Sequence, residues 1–172
     1  RSSAASDVYK RQADNARLVS NLHANLGGLY RINGHPDLAR EHMEKSISLL
    51  DQFNLLHIND SIPQIANYAM FLTEQQEPER GISELQKLSG IIKEYHSDEC
   101  LDYAKVQENL ATIYLMTANL SQAKTHFKKA FKIYEKIWAD EPEMIEAKYR
   151  EIQELYPQIG FSIGKTLSGL LT

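Results

Sequence analysis

The sequence predicts an all-α solenoid, because one helical segment recurs at a fixed interval of 42 residues. Each copy begins with Asn, continues with a large apolar residue and a small residue, and ends with Tyr or Leu. The three copies are residues 25–30, 67–72 and 109–114. A helical segment repeated at one period in the tens of residues is typical of stacked helix pairs.

Composition limits the possible partners of this 172-residue chain. Apolar residues make up 42% and charged residues 24%, as in ordinary soluble domains. The net charge of −4 argues against a broad nucleic-acid or anionic-membrane surface, since both need an excess of Lys and Arg. Cys100 is the single cysteine, so no disulfide can form within the chain. We therefore expect a cytoplasmic protein with neither a membrane partner nor direct contact with nucleic acid.

The first twelve residues are set apart from the repeats. The chain begins Arg1-Ser2-Ser3 without Met, and residues 7–12 resemble the translated read of a sequencing adapter. We expect residues 1–12 to be either non-native, with the true N-terminus missing, or a short disordered lead. The segment is therefore excluded from the fold prediction.

The first repeat is predicted over residues 13–57. Its first helix runs from Ala13 to Asn33, where Gly34 accepts the left-handed conformation that ends helices. Pro36 fits the first turn of a second helix that continues to about Asn54. Apolar residues recur at helical spacing in both helices. They are Leu18, Leu22, Leu26, Leu29 and Tyr30 in the first helix, and Leu38, Ala39, Met43, Ile47 and Leu50 on the buried face of the second.

The same pattern predicts a second repeat over 58–97, a third over 98–140 and a partial fourth over 141–172. The loop Asn59-Asp60-Ser61 and the pair Ser97-Asp98 are expected to supply the N-caps, and Pro78 restarts a helix 42 residues after Pro36. In the fourth copy Glu151 replaces the expected Asn, and residues 159–171 would form a short helix weakened by glycines. Terminal repeats are often atypical because they close an open core. The alternative is the start of a truncated array.

The residue columns at this interval resemble those of tetratricopeptide repeats over about residues 13–156. Small residues recur where two helices cross: Gly27/Ala69/Ala111, Ala39/Gly81/Ala123 and Ser46/Leu88/Ala130, where Leu88 departs from the pattern. Large residues recur between them: Leu26/Tyr68/Leu110, Tyr30/Leu72/Tyr114 and Met43/Leu85/Phe127. The unit is longer than the usual 34 residues and is similar to that of kinesin light chains and bacterial multi-repeat scaffolds. The resemblance implies a right-handed solenoid whose first helices line a concave groove.

The resemblance also indicates a ligand site on the first helices. Asn25, Asn67 and Asn109 lie two positions before the small residue, on the groove side, and would form a ladder of side-chain amides. In family members an Asn at this site contacts the backbone of the bound peptide. The alternative is an architectural role, in which each Asn bridges neighbouring helices.

Three further residues complete the predicted peptide site. Lys105 lies one helical turn before Asn109 and resembles part of the clamp by which some tetratricopeptide domains hold a peptide's C-terminal carboxylate. The equivalent positions, Asn21 and Pro63, are not cationic, so a complete clamp is not expected. Arg31 lies farther along the same face. The predicted site is therefore Asn21, Asn25, Arg31, Asn67, Lys105 and Asn109.

No catalytic, cofactor or metal site is predicted. Residues 160–166 resemble a phosphate loop but are one residue short of it and lack a preceding strand. The histidines show no metal-binding spacing, and no nucleophile, base and oxyanion donor come together. We expect a non-catalytic module that binds a peptide segment of a partner protein. The alternative is the peptide-sensing domain of a larger bacterial transcription regulator. The sequence leaves the partner and the oligomeric state open.

Overall fold

The computed structural model describes residues 2–157, with side chains from residue 6 onward. This part of the chain contains seven α-helices and no β-strand. The helices are α1 (Ser2–Ile32), α2 (Pro36–Gln52), α3 (Ser61–Glu74), α4 (Pro78–Tyr95), α5 (Leu101–Met116), α6 (Leu120–Ile137) and α7 (Pro142–Leu155). Helices pair as α1–α2, α3–α4 and α5–α6, and α7 packs on α6. The predicted all-α solenoid is confirmed.

One turn geometry closes all three first helices. Gly34, Gln76 and Ala118 lie 42 residues apart and have φ angles of 74°, 64° and 58°. After each of them, a backbone N–H donates to a carbonyl five residues earlier, at 2.7–2.9 Å. This is the hydrogen bond of the Schellman motif, which satisfies a carbonyl that the helix leaves open. The repeated turn therefore sets the same reversal in each helix pair, even where Gln or Ala replaces Gly.

Small residues bring the paired helices close together. All six members of the two crossing columns that begin at Gly27 and Ala39 are buried. A Cβ atom on Gly27 would lie 2.7 Å from Met43 Cγ, and one on Gly81 would lie 2.5 Å from the carbonyl oxygen of Ala69. The approach leaves no room for a methyl group at either glycine. Gly27 in the first repeat and Gly81 in the second are therefore required by packing.

The N-terminal segment is helical, which differs from one of its two predicted alternatives. Residues 2–12 continue α1 as helix and do not form a disordered lead. Val8 and Tyr9 are half exposed, and the nearest aromatic neighbour of Tyr9 is Phe53, at a ring-centroid distance of 6.4 Å. The helix is thus continuous while this segment makes little packing contact with α2. Whether it is native stays a prediction.

Two local predictions were wrong, at Leu38 and at the N-cap of α5. Leu38 is exposed rather than buried, because α2 turns that position away from α1. The N-cap of α3, in contrast, is Asp60 of the predicted loop, although its side chain forms no capping hydrogen bond and the Ser61 hydroxyl donates to the carbonyl of Leu55. Cys100, not Ser97 or Asp98, occupies the N-cap of α5. The predicted terminal helix at 159–171 lies outside the described residues.

Between residues 2 and 157, no helix combines the length and apolar character that crossing a bilayer requires.

A histidine pair joins α1 to α2 in the first repeat. His23 Nδ1 and His42 Nδ1 lie 2.8 Å apart, and the His42 ring stacks on Tyr30. The third repeat has the same arrangement with an amide in place of one imidazole, since His126 Nδ1 lies 2.8 Å from Gln107 Oε1 and stacks on Tyr114. Two Nδ1 atoms in contact can share only one proton, so protonating both rings breaks this contact.

The pair predicts a loss of stability in weak acid. Burial, and then the charges of His42 and Lys45, lower the pKa of His23 below its ordinary 6.5. The unfolded chain therefore takes up the proton first, and stability falls as pH drops below 6.5. His23→Gln copies the amide of the third repeat and should reduce this fall. Urea-unfolding midpoints at pH 7.5 and 5.5 measure it, with His35→Gln as the exposed control. Equal pH dependence in the wild type and His23→Gln would refute the assignment.

Candidate functional site

The first helices of the repeats form the inner side of the solenoid. α1 contacts α3, and α3 contacts α5, whereas the second helices in the described part of the chain have no comparable contact with one another. The helix pairs therefore converge on the side of α1, α3 and α5. We name this side the concave face.

Two adjoining pockets open between α1 and α3 on the concave face. The larger has a volume of about 520 Å³, and the smaller about 410 Å³. Ala24, Gln64 and Asn67 line both pockets. The larger pocket adds apolar surface from Gly28, Ile32 and Met43, whereas Asn21, Asn25 and Pro63 line the smaller one. Together the two pockets form a groove with an apolar part and an amide-rich part.

The three Asn residues of the predicted ladder have no side-chain hydrogen bond within the described chain. Asn25 and Asn67 are exposed and Asn109 is half-buried. No hydrogen bond joins any of these three side chains to another described residue. None of the three side chains joins two described helices by a hydrogen bond. The exposed amides of Asn25 and Asn67 therefore keep donors and acceptors that no described residue uses.

Asn21 and Arg31, in contrast, already bridge α1 to α3. Gln64 Nε2 donates to Asn21 Oδ1 at 2.5 Å. The Arg31 guanidinium forms a two-pronged contact with the carboxylate of Glu74, with Nε donating to Oε2 at 2.7 Å. Both side chains line the groove, but their polar groups are used within the protein. The predicted contact of these two residues with a peptide therefore requires breaking an existing bond.

Lys105 and Asn109 lie on α5, beyond the two pockets. Lys105 is exposed and has no ion pair with another described residue. Lys148 of α7 lies 2.9 Å from Glu108, the residue before Asn109, and so ties α7 to α5 at this end of the concave face. Lys105 is thus a single free cation next to an unpaired amide, without the further cations of a complete carboxylate clamp.

Gln64 is the groove residue that sequence reasoning missed. Its Oε1 accepts from the hydroxyls of Ser20 and Ser46, at 2.8 and 2.5 Å, while its Nε2 donates to Asn21. One amide therefore connects α1, α2 and α3 beneath the groove. A signal was available, because Gln64 interrupts an otherwise apolar column formed with Leu22 and Val106.

Gly28 is a second missed feature of the site. A Cβ atom built on it meets no atom within 4 Å, in contrast to the tightly packed Gly27 beside it. Gly28 therefore leaves open space in the wall of the larger pocket. Gly27 allows the close packing of α1 on α2, whereas Gly28 leaves room for the cavity.

The site contains no arrangement that would support covalent chemistry. Within residues 2–157, no group of three or more His, Cys, Asp or Glu side chains is placed to hold a metal ion. The groove offers amides, one salt bridge and apolar side chains, which can bind a chain by hydrogen bonds and burial.

Comparison with protein families gives two matches to tetratricopeptide repeat models. One matches residues 61–136 and the other residues 20–49, and together they span more than half of the chain. They cover the helices that line the groove. No curated protein sequence gives a significant match.

Among solved structures, the chain is similar to the crystal structure of BtubC (BKLC) from P. vanneervenii. The TM-score is 0.64 at 18% sequence identity, and the match covers 77% of this chain. The chain spans 56% of the length of BtubC. At this identity the likeness supports the fold alone.

Proposed function

The chain belongs to the tetratricopeptide repeat family, and we propose that it is a non-catalytic binding module whose concave groove holds a peptide segment of a partner protein. Repeats of this family generally mediate protein–protein interaction. The family is also generally a non-catalytic scaffold. The proposal adds where the partner binds and by what chemistry.

The observation that carries the proposal is the row of unpaired amides along the concave face. An extended peptide presents N–H and C=O groups, and a side-chain amide can donate to one and accept from the other. Asn25 and Asn67 lie beside the pockets, and Asn109 extends the row onto α5. Such contacts hold a backbone without reading its side chains. Affinity for this part of the ligand is therefore tolerant of sequence.

The larger pocket supplies selectivity in this scheme. Ala24, Gly28, Ile32 and Met43 give it apolar walls, while Asn67 and Gln64 lie at the side shared with the smaller pocket. An apolar side chain of the bound peptide fits such a cavity, and its burial contributes about 1.5–3 kcal/mol. The expected ligand is an extended segment with one large apolar residue. Lys105 favours acidic or C-terminal groups toward α5.

Replacing Asn67 and Asn109 together with Ala should weaken peptide binding at least tenfold. Each lost hydrogen bond costs about 1 kcal/mol, and two or more are removed. Neither side chain bonds within the described protein, so helicity and Tm should stay nearly unchanged. The probes are 12-residue peptides selected from a random display library, titrated by isothermal calorimetry. Gln86→Ala, an exposed amide on α4, is the matched control.

Gly28→Leu tests the same site in the opposite way, by filling the larger pocket. The added side chain enters open space. A Gly in a helix interior is less favourable than Ala by about 0.5–1 kcal/mol, and the substitution removes this cost. The variant should therefore fold at least as well as the wild type and lose binding. Selected peptides that bind Gly28→Leu and Asn67→Ala/Asn109→Ala as tightly as the wild type would refute the groove assignment. A large loss of stability with retained binding would show that the Asn residues are architectural.

A further inference from the structure

Two of the residues predicted to bind a peptide, Asn21 and Arg31, are paired with residues of α3. The partner of Asn21 is Gln64, and the partner of Arg31 is Glu74. Each partner lies 43 positions after the α1 residue. An extended peptide offers the same two chemical groups, an amide from its backbone and a carboxylate from Asp or Glu. The two α3 side chains therefore occupy positions that a ligand would use.

The two bridges differ in how easily they separate. Gln64 Oε1 also accepts from Ser20 and Ser46, which are 0% and 1% exposed, so moving Gln64 disrupts bonds in the protein interior. Among the described residues, the carboxylate of Glu74 bonds to Arg31 alone, and the two side chains are 37% and 33% exposed. An exposed ion pair contributes little to stability. The Arg31–Glu74 pair can therefore open at little cost to the fold.

The Arg31–Glu74 pair also lies where the ligand would pass. Both residues line the larger pocket of the groove, together with Asn67 from the row of unpaired amides. A ligand carboxylate that replaces Glu74 restores a two-pronged contact with the guanidinium, so Arg31 loses no hydrogen bond in the exchange. Glu74 is the last residue of α3, and its side chain can turn into solvent once released. The exchange is therefore close to balanced in hydrogen bonds.

The α3–α5 junction has no such pair. The positions equivalent to Arg31 and Glu74 are Thr73 and Met116 there. The Thr73 hydroxyl donates to the carbonyl of Ala69 in its own helix. The ion pair is thus particular to the α1–α3 junction, where the two pockets lie, and does not follow from the repeat pattern.

We propose that Glu74 is an internal competitor for Arg31, and that Arg31 binds the side-chain carboxylate of an Asp or Glu in the peptide when Glu74 is displaced. This inference rests on the proposed function, and it adds one acidic residue to the ligand beside the apolar residue in the pocket. Competition lowers the affinity for every acidic peptide. Only a peptide that also fills the pocket and bonds the row of amides gains enough to displace Glu74, which raises specificity.

The test compares the wild type with Glu74→Gln, which keeps the size of the side chain and removes its charge. Peptides of 12 residues are selected on this variant from a random display library, synthesised with amidated C-termini and titrated by isothermal calorimetry. They should share an Asp or Glu and bind Glu74→Gln about fivefold more tightly than the wild type, the order expected for one exposed ion pair. Replacing that acidic residue with its amide should remove the difference. Glu84→Gln is the matched control, because it removes the carboxylate of a salt bridge with Lys87 outside the pocket, and it should bind like the wild type.

Arg31→Gln separates competition from a simple loosening of the two helices. It breaks the same bridge but also removes the cation, so the acidic peptides should bind it no more tightly than the wild type. Circular dichroism checks that all three variants fold. The proposal is overturned if Arg31→Gln tightens binding as much as Glu74→Gln does, or if Glu74→Gln and the wild type bind the acidic peptides equally.

Failure of the proposed function itself gives a different result. In that case no peptide is selected, or the peptides bind Asn67→Ala/Asn109→Ala and Gly28→Leu as tightly as the wild type, and this inference fails with it. If those variants lose binding but Glu74→Gln shows no gain, the groove is the ligand site and the competition by Glu74 alone is refuted.

Discussion

Gly81→Ala is expected to destabilise the protein by about 1–3 kcal/mol, although alanine is the better helix former. A Cβ at this position would lie 2.5 Å from the carbonyl oxygen of Ala69 and 2.7 Å from Thr73 Oγ1. The carbonyl belongs to the backbone of α3 and cannot rotate away, so the two helices must separate. Separation loosens the cluster formed by Ala69, Leu85 and Leu88. Urea unfolding followed by circular dichroism measures the change.

Gly90→Ala is the matched control, because it makes the same substitution in the same helix. A Cβ on Gly90 meets no atom within 4 Å. That variant should gain about 0.5–1 kcal/mol from helix propensity alone. The two variants should thus shift the unfolding midpoint in opposite directions. If Gly81→Ala unfolds at the same urea concentration as Gly90→Ala, the close approach of α3 and α4 is wrong.

The close crossing of α3 and α4 could be predicted from the sequence, because it requires only a small residue at each crossing position. The columns that begin at Gly27 and Ala39 keep their register at 42 residues, and each lies at a helix contact in the structure. The turns were predictable for a related reason, since Gly34 marks a left-handed residue directly. Gln76 and Ala118 adopt the same conformation without that signal. At those two positions the residue type alone does not reveal the turn.

The site was predictable only in part. Whether a polar side chain of α1 forms a hydrogen bond depends on which residue of α3 lies opposite it. Asn21 and Asn25 are the same residue one turn apart, yet Asn21 accepts a bond from Gln64 whereas Asn25 has no partner among the described residues. Likewise the Arg31 guanidinium pairs with the carboxylate of Glu74, 43 positions later in the chain. No pattern within α1 distinguishes these cases. The position of α3 relative to α1 decides which groove residues are free to bind.

The exposure of Leu29 was unpredictable for the opposite reason. Leu29, Phe71 and Ile113 occupy one column and share an apolar character, so the pattern alone assigns all three to a core. Burial depends on whether a second helix precedes the position. In the described chain α2 precedes Phe71 and α4 precedes Ile113, whereas Leu29 has no such neighbour.

This column provides the second prediction of large effect. Phe71→Ala should cost about 3–5 kcal/mol, because the ring is fully buried between α2 and α3 and its loss leaves a cavity. The substitution also removes the contact with the Arg40 guanidinium, which lies 5.6 Å from the ring centroid. Leu29→Ala, in the same column, should change stability by no more than about 0.5 kcal/mol, since exposed positions contribute little.

The form of the unfolding curve should change as well. In a repeat array each unit is stabilised by its neighbours, so weakening the α2–α3 interface uncouples the first repeat from the rest. Trp138 is the single tryptophan and stacks on Tyr134 at the end of α6, so its fluorescence reports on the third repeat. Circular dichroism reports on all helices. For Phe71→Ala, helix loss should begin at a lower urea concentration than the Trp138 transition, whereas for Leu29→Ala the two curves should coincide. If the circular dichroism and Trp138 curves of Phe71→Ala coincide, and their midpoint equals that of Leu29→Ala, Phe71 does not couple the first two repeats.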